Sequence, residues 1–324
     1  MITSDTTVAA PAPDCASQSS CPICADPKPI PWIVAPDRFN GCHTQYRLLR
    51  CQACSVVWLN EPPSKSEMDK HYGSDYDRTI ATASQALDHW IPRRDELARL
   101  KSGGAILDLG CGAGGFLSTL KGPAWSLYGI EMSARAAGIA RNRCGAEVFV
   151  GDILDAPFPP GSFDAITAFN VLEHVYEPKE VLARVAKWLK PGGVFYTMMP
   201  NIDSAGARIF GSYWYALELP RHLFHFSPTT LKMLARSAGL QEVFVTAHRE
   251  LYFESSLRYV VDHLLERMGI TRTPLARVKA PSLPVRVVRK SFRVTLLPLI
   301  TAAMSFAGDG ETITAVFTKD HVTR

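Results

Sequence analysis

Cysteine is scarce, long hydrophobic runs are missing and neither sign of charge dominates in this chain of 324 residues. Eight cysteines are too few for a disulfide-based scaffold of this length. The longest uncharged run, Val294 to Gly308, has 15 residues and contains Pro298, whereas a helix that spans a bilayer needs about 20 residues. With 35 lysines and arginines against 31 acidic residues, the charge balance argues against a protein built mainly to bind nucleic acid.

The N-terminal segment also lacks distinctive features. Residues 1–20 contain neither a basic stretch nor an apolar stretch, so we expect a disordered tail, no secretory signal and a reducing, cytoplasmic location. An apolar fraction of 47% is that of a globular protein and excludes a mainly disordered or coiled-coil chain. At about 150 residues per domain, the length predicts two domains.

Four of the cysteines form two matched pairs. Two C-x2-C knuckles can place four thiolates on one tetrahedral zinc ion, and a closed shell of this kind has a structural role. The predicted zinc ligands are Cys21, Cys24, Cys51 and Cys54. Disulfides or scattered buried thiols are the alternatives, and the matched spacing argues against both. Cys15 and Cys42 are predicted to be free thiols, with Cys42 and His43 as an alternative pair of ligands.

From Gly104 to about Gln241, short apolar runs alternate with longer amphipathic segments. Such alternation predicts a parallel sheet with helices on both faces. The predicted strands are Ala105–Leu109, Ser126–Ile130, Glu147–Val150, Phe163–Phe169, Val194–Met199, Leu240–Thr246 and Glu311–Thr318, and the predicted helices include Ser84–Leu100 and Pro228–Ala238. The last two strands are expected to form an antiparallel hairpin that is interrupted by a helical insertion.

A glycine-rich turn follows the first of these strands. Gly110, Gly112 and Gly115 fit G-x-G-x-x-G, and Glu131 follows 21 residues after Gly110. This pattern alone fits both a nicotinamide dinucleotide and S-adenosylmethionine. Asp108 favours the second, because its carboxylate would repel a pyrophosphate and attract an ammonium and a sulfonium group. A nicotinamide-dependent oxidoreductase is the alternative from another class of enzyme.

Further motifs fit the same cofactor. They are Gly151-Asp152-Ile153 after the third strand, Asn170–Val175 after the fourth and Leu189–Val194 before the fifth. With them, the region from about Gly104 to Gly239 resembles the class I S-adenosylmethionine-dependent methyltransferases, specifically those that act on small molecules, quinones and sugars. The front end resembles the zinc-ribbon leader of some of these enzymes. The resemblance implies an α/β fold with a doubly wound, seven-stranded sheet of order 3-2-1-4-5-7-6 and an antiparallel last strand.

The resemblance also implies a cofactor site at the carboxyl edge of the sheet. Carried over by position, Glu131 would accept hydrogen bonds from the ribose hydroxyls, and Asp152 would accept one from the adenine amino group. Asn170 would lie beneath the sulfonium. The full set of implied cofactor-binding residues is Asp108, Gly110, Cys111, Gly112, Gly114, Glu131, Met132, Asp152, Ile153 and Asn170.

The acceptor side requires a base within reach of the acceptor. The predicted catalytic candidates are Glu173, His174, His222 and His225. Arg221 has two interpretations, because it can bind an acidic substrate or pair with Glu218. The fourth strand does not end in Asn/Asp-Pro-Pro-Tyr/Phe, the usual arrangement in this family for nucleobase amines, so we expect an oxygen or carbon acceptor.

Residues 258–293 hold nine lysines and arginines against two acidic residues. The stretch predicts either an amphipathic element that docks on anionic lipid at the inner face of the membrane, through residues 258–308, or a substrate lid with a solvated basic face. The predicted organisation is a tail (1–20), a zinc ribbon (21–60), a linker and helix (61–100), a methyltransferase core (101–250), a basic helical insertion (251–310) and the final strand with the C-terminus (311–324).

Together these features predict methyl transfer from S-adenosylmethionine to an oxygen or carbon of a small, lipid-linked or carrier-linked molecule. One alternative is an RNA methyltransferase that holds RNA with its ribbon. The net charge of −2 over residues 1–100 argues against a nucleic-acid partner. Another alternative is a binding protein without turnover. The oligomeric state is left open by the sequence.

Overall fold

The computed structural model describes residues 20–72, 87–248, 252–267, 295 and 310–320. The predicted tail up to residue 19, with Cys15, lies outside the described residues, as do residues 73–86. Most of the basic insertion, 268–294 and 296–309, also lies outside them, and so do the lipid-docking and lid interpretations of that stretch. Within the described part of the chain, no helix combines the length and the apolar character needed to cross a bilayer.

The leader, residues 20–72, folds around a small antiparallel sheet. Its strands β1 (Ile30–Pro36), β2 (Gln45–Arg50) and β3 (Val57–Leu59) pair in that order, and a short helix, α1 (Lys65–Met68), follows. The fourth strand comes from a distant part of the chain. It is β9 (Phe224–His225), which pairs with β3 so that Val57 lies opposite His225.

The large sheet has seven strands. They are β4 (Gly104–Leu109), β5 (Trp125–Glu131), β6 (Glu147–Val150), β7 (Phe163–Phe169), β8 (Leu189–Pro200), β10 (Leu240–His248) and β11 (Thr312–Lys319). Their spatial order is β6-β5-β4-β7-β8-β11-β10, and β11 runs antiparallel to both of its neighbours. This arrangement confirms the predicted fold, strand order and antiparallel last strand.

Helices cover the large sheet and connect its strands. They are α2 (Ile91–Leu100), α3 (Gly115–Ser118), α4 (Ala134–Cys144), α5 (Pro178–Trp188), α6 (Ala205–Phe210), α7 (Pro228–Ser237) and α8 (Phe253–Arg267). Single turns of 3-10 helix occur at Asp69–His71, Leu87–His89, Ile153–Asp155, Gly211–Tyr213 and Tyr215–Leu217. Serine side chains cap the N-termini of several of these helices. Ser133 accepts a hydrogen bond from the Ala136 N–H at the start of α4, and Ser227 accepts one from the Thr230 N–H at the start of α7.

Strand β8 begins earlier than predicted. Leu189 already pairs with Phe163, and the regular pairing resumes between Val194 and Ala165 after an irregularity in register. Gly192, with φ 71°, lies in the intervening stretch. A glycine in the left-handed region can bend a strand without ending it, which is why the predicted turn is part of the strand. The other predicted strand ends agree with the structure to within about two residues.

One hydrophobic core runs from the leader into the large sheet. Its buried side chains include Leu48, Val57 and Trp58 of the leader and Leu107, Ile166 and Phe195 of the large sheet. Hydrogen bonds also cross between the two regions: the Leu59 N–H donates to the Leu223 carbonyl over 2.8 Å, and the Thr230 hydroxyl donates to the Cys54 carbonyl over 2.8 Å. The leader therefore packs directly on the segment that carries the predicted acceptor-side histidines.

Candidate active site

The glycine-rich loop connects β4 to α3. Gly110 has φ 61°, and a Cβ there would lie 2.8 Å from a methyl group of Val171, so only glycine lets this loop approach the chain that follows β7. At Gly114, with φ 74°, a Cβ would lie 3.0 Å from Ala140 of α4. In the structure, Gly114 therefore lets the loop pack against α4. Gly110 and Gly112 lie nearer to the carboxyl end of β4.

Two buried carboxylates lie at the ends of β4 and β5. Asp108 accepts a hydrogen bond of 2.6 Å from the Thr167 hydroxyl. Glu131 accepts the N–H groups of Gly112, over 2.9 Å, and Ser133, over 2.8 Å. Burial, together with the negative charge of Glu131, raises the pKa of Asp108 to about 7. The crevice therefore concentrates negative potential where a cationic ligand would relieve it.

The structure divides the other predicted cofactor residues by accessibility. Cys111 and Ile153 are buried. The Cys111 sulfur lies 2.6 Å from where a Cβ of Gly129 would be, so this side chain packs on β5 and the loop offers only its backbone to a ligand. Met132 is 70% exposed, and Asn170 is exposed with φ 55°. Both therefore present accessible side chains at the edge of the sheet.

Asp152 already has a cationic partner from the leader. Its Oδ2 lies 3.0 Å from the Lys65 Nζ, and its Oδ1 accepts the Leu154 N–H over 3.0 Å. Lys65 Nζ also lies 3.5 Å from a carboxylate oxygen of Glu177. The partners of Asp152 lower its pKa below the usual value, although burial acts in the opposite direction as the largest single influence. The leader thus reaches the predicted adenine side of the site.

The four predicted acceptor-side residues come together. The rings of His174 and His222 have centroids 4.6 Å apart, and those of His222 and His225 are 6.1 Å apart. The backbone joins the two segments, because the Glu173 carbonyl accepts the N–H groups of Leu223, over 2.7 Å, and Phe224, over 3.2 Å. The loop after β7 and the segment that forms β9 therefore build one polar cluster, which we call the Glu–His cluster: Glu173, His174, His222 and His225.

In the Glu–His cluster, Glu173, His222 and His225 are buried and His174 is half-buried, but the cluster is only partly hydrogen-bonded. His222 donates from Nδ1 to the Ala216 carbonyl over 2.8 Å, and His174 donates from Nδ1 to the Arg221 carbonyl over 3.0 Å. Among the described residues, neither carboxylate oxygen of Glu173 and neither ring nitrogen of His225 has a hydrogen-bond partner. Buried polar groups without partners are rare and costly, so these atoms have unused capacity to form hydrogen bonds with a ligand.

Burial shifts the acid–base behaviour of the cluster. It lowers the pKa of His222 and of His174 to about 3, and that of His225 well below its ordinary value. Burial, with the neighbouring carboxylate of Glu218, raises the pKa of Glu173 to about 8. The three imidazoles are therefore neutral near pH 7, and each keeps a ring nitrogen with a lone pair.

Arg221 takes the second of its two predicted roles. It forms a buried ion pair with Glu218, and its guanidinium carbon lies 3.9 Å from the centroid of the Phe39 ring. This pairing satisfies the charge of Arg221 inside the protein, so a substrate carboxylate is not needed to explain it.

The four knuckle cysteines form one compact group. Cys21 Sγ lies 3.6 Å from Cys54 Sγ, and Cys24 Sγ lies 3.5 Å from Cys51 Sγ. Sulfur atoms around a tetrahedral zinc ion are about 3.8 Å apart, so the group fits such an ion. Backbone N–H groups point at the sulfurs, for example that of Ile23 at Cys21 over 3.4 Å. Cys42 is exposed and lies outside this group.

A family model for a methyltransferase domain matches residues 80–244, about half of the chain. The chain belongs to this methyltransferase family. Its sheet order, its glycine loop and the acidic residues at the ends of β4 and β5 are those of a class I S-adenosylmethionine-dependent methyltransferase, as predicted. The alternatives of a nicotinamide-dependent oxidoreductase and of a non-catalytic binding protein are not supported.

Relatives of this methyltransferase include enzymes of quinone biosynthesis. The chain is 33% identical over 164 residues to a ubiquinone biosynthesis O-methyltransferase of Thiobacillus denitrificans, which covers 47% of this chain and 69% of the relative. It is 29% identical over 202 residues to the Burkholderia thailandensis protein of the same name, with 58% and 75% coverage. A demethylmenaquinone methyltransferase of Tropheryma whipplei is 28% identical over 207 residues, with 63% and 82% coverage.

Solved structures confirm the fold of this methyltransferase. Phosphoethanolamine N-methyltransferase 2 of Haemonchus contortus, in complex with S-adenosyl-L-methionine, superposes with a TM-score of 0.53 at 18% identity, covering 82% of this chain and 62% of that one. A chain of the Haloferax volcanii complex between the Trm112 methyltransferase activator and a methyltransferase gives a TM-score of 0.51 at 19% identity, with 80% and 100% coverage.

Two residues that contact the predicted cofactor residues are missing from the predicted set. Thr167, which donates to Asp108, is the one hydroxyl in the otherwise apolar middle of β7, and this lone polar residue is a usable signal. Lys65, which pairs with Asp152, carries no such signal, because nothing in its local sequence indicates a contact 87 residues away.

Proposed function

We propose that this methyltransferase transfers a methyl group from S-adenosylmethionine to a hydroxyl oxygen of a quinone-type small molecule. The observation that carries the proposal is the Glu–His cluster, two of whose residues follow β7 shortly after Val171, the residue that packs against Gly110 of the glycine loop. A polar cluster without enough internal partners suits a hydroxylated acceptor. The names of the relatives, ubiquinone biosynthesis O-methyltransferase and demethylmenaquinone methyltransferase, support a quinone-type ring.

The cofactor side of the proposal rests on the two buried carboxylates. Asp108 would face the cationic end of the cofactor, since its charge is costly to bury without a cation. Glu131 would hold the ribose hydroxyls, with Met132, Asp152 and Ile153 on the adenine side. The remaining proposed contacts are the backbone at Gly110, Cys111, Gly112 and Gly114 and the side chain of Asn170. S-adenosylmethionine supplies an electrophilic methyl group, so the protein has to align the acceptor and remove a proton.

We propose His225 as the group that takes the hydroxyl proton. Both of its ring nitrogens are buried without a hydrogen-bond partner among the described residues, so a lone pair is available to a bound hydroxyl, although burial lowers the pKa of the ring and disfavours its protonated form. Glu173, His174 and His222 would line the same acceptor position. A general base within hydrogen-bond reach typically contributes about 10²- to 10⁴-fold to the rate.

We also propose a structural zinc ion on Cys21, Cys24, Cys51 and Cys54. The pairwise sulfur distances of 3.5 and 3.6 Å support this. Because β3 follows the second knuckle and pairs with β9, the ion would stabilise the strand against which His225 is held. The leader would then act as a support for the acceptor side rather than as a device for holding RNA.

The test is a product assay with S-adenosylmethionine carrying a deuterated methyl group. Hydroxylated, prenylated quinols, nucleotide sugars and a structured RNA are offered separately, and the labelled position is located by mass spectrometry. We expect label on an oxygen of the quinol. Label on carbon, on a sugar or on RNA would contradict the proposal.

The variant His225→Gln tests the proposed base. We expect kcat to fall about 100- to 1,000-fold, while the Kd for S-adenosylmethionine, measured by calorimetry, stays within a factor of two to three. The matched control is His43→Gln, which changes an exposed histidine of the leader and should retain wild-type kcat. Wild-type kcat in His225→Gln would show that another group removes the proton.

A further inference from the structure

The Glu–His cluster has the composition of a metal site as well as that of an acceptor site. Glu173, His174 and His222 each offer a ligand atom, and these atoms lie within 4.8 Å of one another. Ligand atoms around a tetrahedral divalent cation are about 3.4 Å apart, so small side-chain rotations would bring the three atoms onto one ion. Two imidazoles and one carboxylate are a donor set used by zinc, iron and other divalent transition metals.

The hydrogen bonds of the two histidines are those of metal ligands. A carbonyl can only accept, so the contacts of His222 Nδ1 with the Ala216 carbonyl, over 2.8 Å, and of His174 Nδ1 with the Arg221 carbonyl, over 3.0 Å, place the proton on Nδ1 in each ring. Each Nε2 is then left with a lone pair. Donation of the second ring N–H to a backbone carbonyl is the typical way in which proteins orient a metal-binding histidine.

The carboxylate of Glu173 provides an independent observation. The residue is 2% exposed, and in the described part of the chain neither of its oxygens has a hydrogen-bond donor. A second carboxylate, that of Glu218, lies 3.6 Å from His222 Nε2, although Arg221 already pairs with it. In its ionised form, Glu173 would, together with Glu218, carry one negative charge more than Arg221 supplies, and a bound cation would compensate that charge.

We infer that Glu173, His174 and His222 bind one divalent transition-metal cation at the acceptor side of the site. Three protein ligands leave open coordination positions, which is the arrangement of catalytic metal sites rather than structural ones. The site differs in this respect from the four cysteines of the leader, whose sulfurs form a closed set.

The role of the cation in catalysis rests on the proposed function. The acceptor hydroxyl would occupy an open coordination position, where the cation lowers its pKa. The hydroxyl proton would pass to His225, the oxygen would form a bond to the methyl carbon, and the carbon–sulfur bond would break with its electron pair remaining on sulfur. No oxidant or reductant is needed for these steps.

The experiment is a titration of the full chain, with zinc in its cysteine site, with Co²⁺. Cobalt on nitrogen and oxygen ligands gives weak visible bands without thiolate charge-transfer bands, so its spectrum distinguishes the two sites. We expect one equivalent of Co²⁺ to bind with such a spectrum. The variants Glu173→Gln and His222→Gln should each weaken binding by more than about 100-fold, which is beyond the roughly 10- to 100-fold losses typical of outer-shell changes. His43→Gln is the control for adventitious binding to a surface histidine.

Binding of S-adenosylmethionine, measured by calorimetry, shows that each variant is folded. Absence of the extra equivalent of Co²⁺, or undiminished binding in both cluster variants, would overturn the inference. The titration needs no turnover. If cobalt binds and no quinol is methylated, the cation site stands and the proposed acceptor is wrong, whereas methylation of a quinol without cobalt binding would contradict the cation site alone.

Discussion

The leader and the large domain each contain a compact group of side chains of the types that bind metals, and the two groups differ in how many of their polar atoms have hydrogen-bond partners. The four cysteines lie in pairs 3.5 and 3.6 Å apart with backbone N–H groups directed at their sulfurs. The Glu–His cluster leaves Glu173 and His225 without hydrogen-bond partners among the residues the structure describes. The first group has the composition of a closed, structural metal site, whereas the second keeps buried polar atoms without hydrogen-bond partners among the described residues.

The same contrast extends to the cofactor crevice of the large domain. Asp108 is 4% exposed and its charge has no cationic side chain among the described ion pairs. In the leader, by contrast, the carboxylate of Asp37 lies 3.6 Å from a ring nitrogen of His71 and accepts the Asn40 N–H over 2.9 Å. The carboxylate of Asp37 thus has several polar partners within the leader, whereas we expect that of Asp108 to interact with a cationic ligand.

The largest effect on this comparison is expected from replacing one of the four knuckle cysteines of the leader. We expect Cys51→Ser to lose the zinc ion and to unfold the leader, because structural zinc sites contribute about 10–16 kcal/mol of apparent binding free energy. Methyl transfer should fall to background, since β3 would no longer hold β9 in place. Zinc content by elemental analysis and unfolding by calorimetry measure the effect.

Cys42→Ser is the matched control for that experiment, because Cys42 is an exposed cysteine of the same leader outside the knuckle group. It should keep its zinc and its thermal unfolding profile. A Cys51→Ser protein with full zinc content and activity would show that the four cysteines do not form the site.

The pH dependence of S-adenosylmethionine binding tests the role of Asp108 in the large domain. The folded-state pKa of Asp108, about 7, lies above its ordinary value of 3.8, so the folded chain holds an extra proton between these values and loses stability as pH rises through them. A cationic cofactor binds the ionised form. We therefore expect the affinity for S-adenosylmethionine to rise by up to about tenfold per pH unit between about pH 5.5 and 7, measured by calorimetry.

The variant Asp108→Asn should bind S-adenosylmethionine weakly with little dependence on pH over this range. Asp88→Asn, which changes an exposed aspartate, should follow the wild-type profile. An unchanged pH profile in Asp108→Asn would assign the dependence to another group.

The smallest effect is expected at the border between the two regions. Lys65 of the leader pairs with Asp152, but its side chain is 53% exposed, and exposed ion pairs contribute about 0–1 kcal/mol. Lys65→Ala should therefore lower the free energy of unfolding in urea by less than about 1 kcal/mol, with Lys28→Ala as an exposed control. A larger loss would mean that the leader stabilises the adenine side through this one contact.

Local patterns carried most of what the sequence predicted correctly. The knuckles, the glycine loop and the alternation of strands and helices each depend on residues close together in the chain, and all of them reappear in the structure. The start of β8 was predicted too late, because Gly192 looks like the end of a turn although it lies within a strand. That ambiguity is inherent in glycine, which serves both roles.

Contacts between segments that are distant in the chain could not be predicted from the sequence. The pairing of Val57 with His225 joins two strands of three and two residues, which are too short to show a period. Glu173 and His222 were both predicted as acceptor-side residues, but the sequence contains no indication that they share one cluster. Their proximity depends on the hydrogen bonds from Leu223 and Phe224 to the Glu173 carbonyl, which only the folded chain brings together.

The pairing of β3 with β9 also limits how this enzyme can be rebuilt. Side chains alternate between the faces of a strand, so a shift of one residue between Cys54 and Val57 would present the opposite faces of β3 to the segment that carries His225. A chimera that receives its leader from a relative must therefore preserve that spacing, even where every knuckle cysteine is retained. For protein engineering, the leader and the segment that carries His225 are therefore a single module that has to be exchanged together.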